Sequence, residues 1–197
     1  MPRLDLDPAE LGAALYPWMN SVVVPRPIAW VSTVSASGID NLAPHSFFTI
    51  AGIDPAVVCF TSVGLKDSLR NILATQEFVV SVCTEPLIEQ VNLTGTDYPP
   101  DMSEFDAVGL TREPSLRVVP SRVAESPVAM ECRLLDTKEF GICTVVFGQV
   151  VHLAVDEAVL RDGRPAIDLI APVARLGADE WSTIGELSER RRVPYQQ

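Results

Sequence analysis

The sequence contains few of the residues that build structural metal sites. Its four cysteines form no C-x-x-C pair, and His45 and His152 are its two histidines. A zinc or iron–sulfur site is therefore not expected, because such sites take closely spaced cysteine and histidine ligands. The cysteines lie in apolar runs of strand length, so we expect reduced thiols that pack as small hydrophobic side chains: Cys59, Cys83, Cys132 and Cys143.

Long hydrophobic runs, a secretory signal and an excess of positive charge are also absent. No stretch approaches about 18 consecutive apolar residues, the length that a membrane-spanning helix needs, and the acidic segment 1–12 does not resemble a signal peptide. The 26 acidic and 15 basic residues give a net charge of −11, which disfavours nucleic acid and anionic membranes as partners. We therefore expect a cytoplasmic protein, and its 197 residues suit a single domain.

Strand patterns dominate the sequence. Runs of β-branched and aromatic residues, bounded by turn residues, predict six strands: Ile28–Ser35, Leu42–Ile50, Ala56–Ser62, Phe78–Thr84, Val128–Leu135 and Cys143–Val155. The first two are separated by a short turn and should form an antiparallel hairpin, and Gly148 should interrupt the last strand with a bulge. The pattern predicts a mainly β fold with few helices, arranged as a barrel or a sandwich.

Helical patterns are few and short. Lys66–Thr75 places apolar residues on one helical face, and Pro86–Leu93 begins with a proline that suits a first turn. A short helix is also expected after Pro172, and Glu186–Arg192 should be a polar tail. The proline-rich segment Asn92–Pro127 is predicted to be a loop-rich connection, because prolines at this density exclude a central strand or a long helix.

Two neighbouring segments carry residues suited to a flat, charged ligand. Arg26 stands between Pro25 and Pro27, which restrict its backbone to extended conformations. Its guanidinium either binds an anion such as a phosphate or forms a surface salt bridge. The segment Asn41–Phe48 contains small residues that would let a flat ring approach the backbone, although it is also an ordinary strand start after a polar turn.

A third segment, Thr61–Ser68, runs from a strand through a glycine-containing loop into a helix start. Free N–H groups at such a start favour an anion, and Ser62, Lys66 and Ser68 add hydroxyl groups and a positive charge. The alternative is that Asp67 or Ser68 only caps the helix. Neither the G-x-x-x-x-G-K-[ST] phosphate loop nor the G-x-G-x-x-G dinucleotide fingerprint occurs.

Taken together, these segments resemble those of the flavin reductase-like proteins. The similarity is carried by collinear motifs: Val24–Ser32 (VPRPIAWVS), Asn41–Phe48 (NLAPHSFF), Lys66–Ile72 (KDSLRNI), Glu77–Val82 (EFVVSV), Asp97–Pro100 (DYPP), Glu104–Leu110 (EFDAVGL), Val123–Cys132 (VAESPVAMEC), Gly148–His152 (GQVVH) and Pro172–Gly177 (PVARLG). It covers about residues 16–183, which would form the core of one domain between flexible termini. The resemblance implies an FMN-binding split β-barrel that forms a homodimer, with FMN at or near the subunit interface.

The resemblance also implies which residues contact the FMN. The set comprises Arg26, Trp30, Ser32, Thr33, Asn41, Leu42, Ala43, His45, Ser46, Ser62, Lys66, Asp67 and Ser68. The first strand and the Asn41–Ser46 loop would follow the ring and the ribityl chain. Ser62 and Lys66–Ser68 would hold the phosphate, with Arg26 as a second phosphate contact or a contact to the partner chain. His45 stands where many relatives have an aromatic residue, so its role stays open.

Three functions follow from this resemblance. The leading one is an NADH- or NADPH-dependent FMN reductase, with a monooxygenase as a candidate recipient of the reduced flavin. The second is an electron carrier that retains its FMN, and the third is a non-catalytic barrel that binds a deazaflavin or haem. No catalytic side chain is nominated, because the flavin itself carries the redox chemistry. Backbone N–H groups of Asn41–Ala43 are candidates to stabilise negative charge on the reduced ring.

Overall fold

A seven-stranded antiparallel sheet forms the centre of the protein. The computed structural model describes residues 1–99 and 101–195, so Pro100 of the Asp97–Pro100 motif and residues 196–197 lie outside the described residues. The strands are β1 Ala29–Val34, β2 Asp40–His45, β3 Phe48–Ile53, β4 Ala56–Val63, β5 Glu77–Val82, β6 Val128–Phe140 and β7 Cys143–Val155. They lie in the order β2-β1-β5-β6-β7-β4-β3. The predicted mainly β fold is confirmed.

The corner between β2 and β3 curls this sheet into a barrel. Only Ser46 and Phe47 connect these strands, although they stand at opposite edges of the sheet. So short a link spans about 10 Å, and the two edges must therefore lie close together. The Thr61 N–H on β4 donates a hydrogen bond to the Phe47 carbonyl at 2.9 Å. The prediction of one continuous strand over Leu42–Ile50 is therefore wrong, because the chain changes sheet edges in its middle.

The described residues form six short α-helices. They are α1 Pro8–Leu11, α2 Leu15–Val22, α3 Asp67–Thr75, α4 Ile88–Leu93, α5 Glu104–Val108 and α6 Ile167–Ile170. The predicted helices at Lys66–Thr75 and Pro86–Leu93 are confirmed as α3 and α4, the latter preceded by a 3₁₀ turn over Glu85–Leu87. The other helices were not predicted. The polar tail Glu186–Arg192 has no regular structure and is exposed, as expected.

The helix expected after Pro172 is absent, and the prediction is corrected by a small sheet at the same place. Helix α6 ends before Pro172, and Ala174–Arg175 forms a short strand instead. This strand pairs on one side with Arg26–Pro27 and on the other with Trp181–Ser182. Pairing with the distant segment Arg26–Pro27, which local sequence does not reveal, favours a strand here instead of a helix.

The core has two parts, and β1 separates them. Ala29 and Val31 pack inside the barrel with Phe60 and Phe78, while α3 contributes Leu69 and Ile72 to this cluster. The alternate residues Ile28 and Trp30 face the second cluster, which contains Phe105 of α5. Because both faces of β1 are covered, its residues are buried in succession rather than alternately, beginning with the apolar run of residues 29–31.

Gly148 marks the predicted bulge, and the structure shows why glycine stands there. The register between β6 and β7 shifts between Phe147 and Gly148. A Cβ atom at Gly148 would lie 2.2 Å from Cζ of Phe78, so a larger residue would collide with that ring. Phe78 in turn packs edge-on against Phe60 at a ring distance of 5.7 Å. The glycine therefore makes room for the aromatic centre of the barrel.

A buried ion pair organises part of the loop-rich segment Asn92–Pro127. Glu131 on β6 is fully buried and accepts hydrogen bonds from the backbone N–H groups of Leu116 at 3.0 Å and Arg117 at 2.6 Å. It also accepts from Arg122 Nε at 2.9 Å. One carboxylate thus ties three points of the segment to the barrel.

The state of the cysteines agrees with the expectation of reduced thiols. The four cysteines are free thiols; Cys83 and Cys132 are buried, and Cys59 and Cys143 are partly buried. Burial raises the pKa of the Cys83 and Cys132 thiols. Among residues 1–99 and 101–195, no group of three or more histidine, cysteine, aspartate or glutamate side chains could hold a metal ion. Within the same ranges, no helix is long and apolar enough to cross a membrane.

Candidate functional site

A cleft of about 300 Å³ lies at the barrel corner. Its walls come from β2 and the corner (residues 41 and 43–47), the start of α3, and the turn Thr94–Tyr98 that follows α4. Thr61 and Val63 of β4, Glu104 of α5 and Tyr16 of α2 complete the lining. The cleft exists because the two-residue corner brings the ends of β2 and β4 beside the N-terminus of α3.

The structure brings seven of the thirteen predicted cofactor-binding residues together in this cleft. They are Asn41, Ala43, His45, Ser46, Lys66, Asp67 and Ser68. The other six do not line it: Arg26, Trp30, Ser32, Thr33, Leu42 and Ser62. Most of these six instead form hydrogen bonds with the elements that carry the lining residues.

Arg26 is committed to backbone carbonyls rather than to the cleft. Its Nη1 donates to the Asn20 carbonyl and to the Val23 carbonyl at 2.9 Å, and its Nη2 donates to the Leu176 carbonyl at 2.8 Å. It touches the cleft lining through a 3.4 Å contact of Nε with Ser46 Oγ, and its Cζ lies 5.9 Å from the centroid of the Phe47 ring. Burial lowers the pKa of Arg26. The Arg26 guanidinium therefore links the N-terminal segment to Leu176, and it is not presented to a phosphate in the cleft.

The buried polar side chains of β1 hold neighbouring segments in place. The Trp30 indole N–H donates to Thr94 Oγ1 at 2.8 Å, which positions the start of the Thr94–Tyr98 turn. Ser32 donates to the Ser121 carbonyl, and Thr33 Oγ1 accepts from Asn71 Nδ2 at 3.0 Å. These contacts leave their polar groups occupied, so β1 acts on the cleft through its neighbours.

The Ser62 hydroxyl is likewise occupied. It donates to the Gly64 carbonyl at 2.8 Å and shapes the loop before α3. Gly64 has a φ of 79°, a left-handed conformation that glycine adopts without strain. The Ser62 hydroxyl therefore holds the loop that leads into the helix start through a local contact.

A three-residue network occupies the floor of the cleft. Ser68 Oγ accepts a hydrogen bond from Asn41 Nδ2 at 3.0 Å and lies 3.3 Å from His45 Nε2. The His45 ring packs against Phe60 with 4.6 Å between ring centroids. Burial lowers the pKa of His45 to about 4, against the opposing effect of a backbone contact with Thr61. His45 is therefore neutral near pH 7 and orients the Ser68 hydroxyl without adding charge.

The mouth of the cleft combines one lysine with several carboxylates. Lys66, which precedes the first turn of α3, lies 3.1 Å from Asp97 of the opposite wall, and both side chains are largely exposed. Asp67 pairs with Arg70 one turn along the helix. Because exposed pairs of this kind contribute little, Lys66 can exchange Asp97 for an anionic ligand.

Glu104 is a cleft residue that sequence reasoning did not single out. Its Oε2 accepts the backbone N–H of Leu42 at 2.8 Å, and the side chain is buried. Burial raises the pKa of Glu104, while the hydrogen bond from Leu42 acts in the opposite direction. The Leu42 amide is therefore already bonded, which removes it from the backbone N–H groups that were candidates to stabilise a reduced ring.

The Thr94–Tyr98 turn was also missed as part of a binding site. Gly95 packs closely against the corner: a Cβ atom there would lie 3.6 Å from Pro44 Cγ and 3.2 Å from the Asn92 carbonyl. The available signal was the glycine directly after a helix, flanked by small hydroxyl residues. Gly95 has no side chain and Ala43 only a methyl group, so these low-profile walls would let a flat ring approach the backbone closely.

Comparisons with known proteins agree with this architecture. The family model described as "Flavin reductase like domain" matches residues 19–169. An uncharacterized protein of Aquifex aeolicus is 37% identical over 172 residues, which cover 84% of this chain and 88% of that protein.

Solved structures give the same result for the fold. Nitrilotriacetate monooxygenase component B from Bacillus cereus superposes with a TM-score of 0.91 at 28% identity, covering 96% of this chain and 100% of that one. A protein with a split barrel domain from Shewanella frigidimarina gives a TM-score of 0.85 at 25% identity, covering 98% and 100%. The expected split β-barrel is confirmed.

Proposed function

We propose, because this chain belongs to the flavin reductase like domain family, that it is a reductase that binds FMN and reduces it with NADH or NADPH. Family membership supports a flavin-related oxidoreductase with a flavin cofactor. The observation that carries the finer proposal is the cleft at the barrel corner, where low-profile walls lie beside the N-terminus of a nine-residue helix. A phosphorylated flat ring needs both features.

The residues of the cleft fit FMN. A volume of about 300 Å³ lies at the lower end of the range for small-molecule sites, and a second cavity of about 400 Å³ adjoins it. Ala43 and Gly95 would flank the ring. The first-turn N–H groups of α3, Lys66 and the Ser68 hydroxyl would hold the phosphate, since helix N-termini and cations favour anions.

In this proposal the protein binds and orients while the cofactor reacts. Bound FMN would supply the chemistry, accepting a hydride from the nicotinamide donor. Asn41 and His45 hold the Ser68 side chain in one position, so it loses little freedom when the phosphate arrives. Glu104 holds the backbone of β2 through Leu42 and keeps that wall in one position. None of these side chains has to transfer a proton.

The phosphate assignment is tested by comparing two flavins that differ in the phosphate alone. Substituting Lys66→Ala should weaken FMN binding by about 1–2 kcal/mol, the lower part of the range for a charged hydrogen bond because Lys66 is exposed. Riboflavin affinity should stay the same. Lys138→Ala, which removes the chain's other lysine from an exposed position on β6, is the matched control and should change neither affinity. Calorimetric titrations with both flavins measure these values; an equal loss for FMN and riboflavin contradicts the assignment.

A second measurement separates a reductase from an electron carrier. Steady consumption of NADH or NADPH in the presence of excess free FMN supports the reductase. Tightly bound FMN without turnover supports the carrier, and failure to take up FMN supports a barrel with another ligand. The likeness to a monooxygenase component at 28% identity favours the reductase with a monooxygenase as recipient of the reduced flavin.

We also propose that the protein works as a homodimer. Helix α2 has no buried residue although it carries Trp18 and Met19, and the edge strand β3 exposes Ile50 and Ile53. Unpaired edges and exposed apolar residues of this kind are commonly covered by a two-fold partner. Light scattering during size-exclusion chromatography tests this: a mass of about 21 kDa would reject the dimer, since one chain has a mass of 21.4 kDa.

A further inference from the structure

Two arginines face each other across the small sheet beside the cleft. Arg26 and Arg175 are direct partners in the antiparallel pair of Arg26–Pro27 with Ala174–Arg175. Like charges in opposed positions destabilise a strand pair, and the charge of Arg175 adds to burial in lowering the pKa of Arg26. Across residues 1–99 and 101–195, neither arginine forms an ion pair. This is unexpected in a chain with 26 acidic and 15 basic residues.

Arg175 is held in one orientation, but most of its hydrogen-bond donors have no partner among the described residues. Its guanidinium lies over the Trp181 ring with 4.8 Å between Cζ and the ring centroid, and Nη2 donates to the Ala178 carbonyl at 2.8 Å. Within the described part of the chain, that is its one side-chain hydrogen bond. A guanidinium has five N–H donors, so Arg175 is oriented by the indole and the carbonyl and keeps several donors available.

Arg175 lines a cavity. This second cavity has a volume of about 400 Å³, and Arg175, Trp181 and Tyr16 contribute to its lining. It shares Pro44 and Gly95 with the proposed flavin cleft, so the two cavities meet at the same low-profile wall. A ligand here would lie next to a ring bound in the first cleft and within reach of Arg175.

We propose that the second cavity is the binding site for the reaction partner of the flavin, and that Arg175 selects a flat-ring compound carrying an anionic group. This rests on the proposed function, since it assigns the first cleft to FMN. The planar guanidinium suits both carboxylates and phosphates, and Tyr16 and Trp181 suit the ring. The anion also explains why Arg175 stands opposite Arg26 although no carboxylate of residues 1–99 and 101–195 pairs with either arginine. The anionic group is either the phosphate of a nucleotide or a ring carboxylate.

The test compares nicotinate with nicotinamide, which have the same ring and differ in charge. Ligand-observed NMR titrations of FMN-loaded protein should show nicotinate binding about tenfold more tightly, the effect of a charge-assisted hydrogen bond at a partly exposed site. Arg175→Gln should abolish this preference, and Arg175→Lys should keep part of it, since lysine retains the charge but not the planar fork. Arg164→Gln is the matched control. Arg164 is exposed and lies in a separate two-stranded hairpin, Leu160–Arg161 with Arg164–Pro165, which precedes α6.

The experiment distinguishes failure of this proposal from failure of the proposed function and from a folding defect. Equal affinities for the two rings in the wild-type protein, or a preference that survives Arg175→Gln, overturns the proposal. An additional titration with AMP identifies the source: tighter AMP binding assigns the site to a nucleotide donor, and tighter nicotinate binding assigns it to an acidic substrate. If FMN does not bind at all, the proposed function fails, and the same comparison on flavin-free protein still tests Arg175. Unchanged melting temperatures and FMN affinities of the Arg175 variants exclude a folding defect.

Discussion

Replacing Glu131 with glutamine should be among the most destabilising single substitutions in the chain. The side chain is fully buried and accepts hydrogen bonds from Leu116, Arg117 and Arg122. Glutamine keeps the shape but removes the charge and turns one acceptor into a donor. Arg122, itself buried, would lose its buried ion pair and keep only the 3.4 Å ion pair with the half-exposed Glu113 among the described residues. Breaking a buried ion pair costs about 3–5 kcal/mol, which corresponds to a fall in melting temperature of about 6–20 °C for a chain of this length.

The stability difference between the wild type and Glu131→Gln should also depend on pH, and this dependence is the most specific test of the prediction. Burial would raise the pKa of Glu131, but the hydrogen bonds from Leu116, Arg122 and Arg117 outweigh it and hold the pKa below its ordinary value. A carboxyl whose pKa is lowered by folding stabilises the native state above its unfolded pKa of about 4.3. That contribution is lost as the pH falls through the lower folded value. The stability difference between wild type and Glu131→Gln should therefore be largest near neutral pH and narrow below about pH 4.

Urea unfolding followed by circular dichroism at pH 7, 5 and 3.5 measures this difference. Glu113→Gln is the matched control: it removes an exposed partner of the same arginine and should cost less than about 1 kcal/mol. A Glu131→Gln penalty below about 1 kcal/mol at pH 7, or a penalty that stays constant down to pH 3.5, would refute the reasoning.

Three further predictions concern the core and the cleft. Gly148→Ala should destabilise the protein by about 1–3 kcal/mol or more, because the new Cβ would stand 2.2 Å from Phe78 Cζ; thermal melts measure this, and an unchanged midpoint contradicts it. Trp30→Phe removes the donor to Thr94 Oγ1 and should cost about 1–3 kcal/mol while weakening flavin binding, whereas unaltered flavin affinity would show that Thr94 is held by other contacts. Burial lowers the pKa of His45 to about 4, so on acidification the unfolded chain takes up the proton before the folded one does. His45→Phe should therefore lose less stability than the wild type between about pH 6.5 and pH 4. Equal pH profiles of stability for the two proteins would count against a neutral His45.

The sequence alone determined the strand content, because strand patterning is local. Runs of β-branched and aromatic residues located six segments, five of which match single strands of the structure, and Cys143–Val155 matches β7 at both ends. Gly148 was predicted to mark a bulge from its position in such a run, and the register shift there confirms it. These features depend on residues a few positions apart, whose preferences survive in any tertiary context.

Only the tertiary structure decided which polar groups face the cleft. Arg26 has the chemistry of a phosphate ligand, but carbonyls brought in from Asn20 and Leu176 occupy its donors. Glu104 gave no sign of a binding role, yet the packing of α5 against β2 places it in the wall. A side chain's type sets what it can bind, whereas its partners come from segments far away in the chain. The division of Leu42–Ile50 into two strands has the same cause, since the bend becomes necessary only when the two edges of the sheet are brought together.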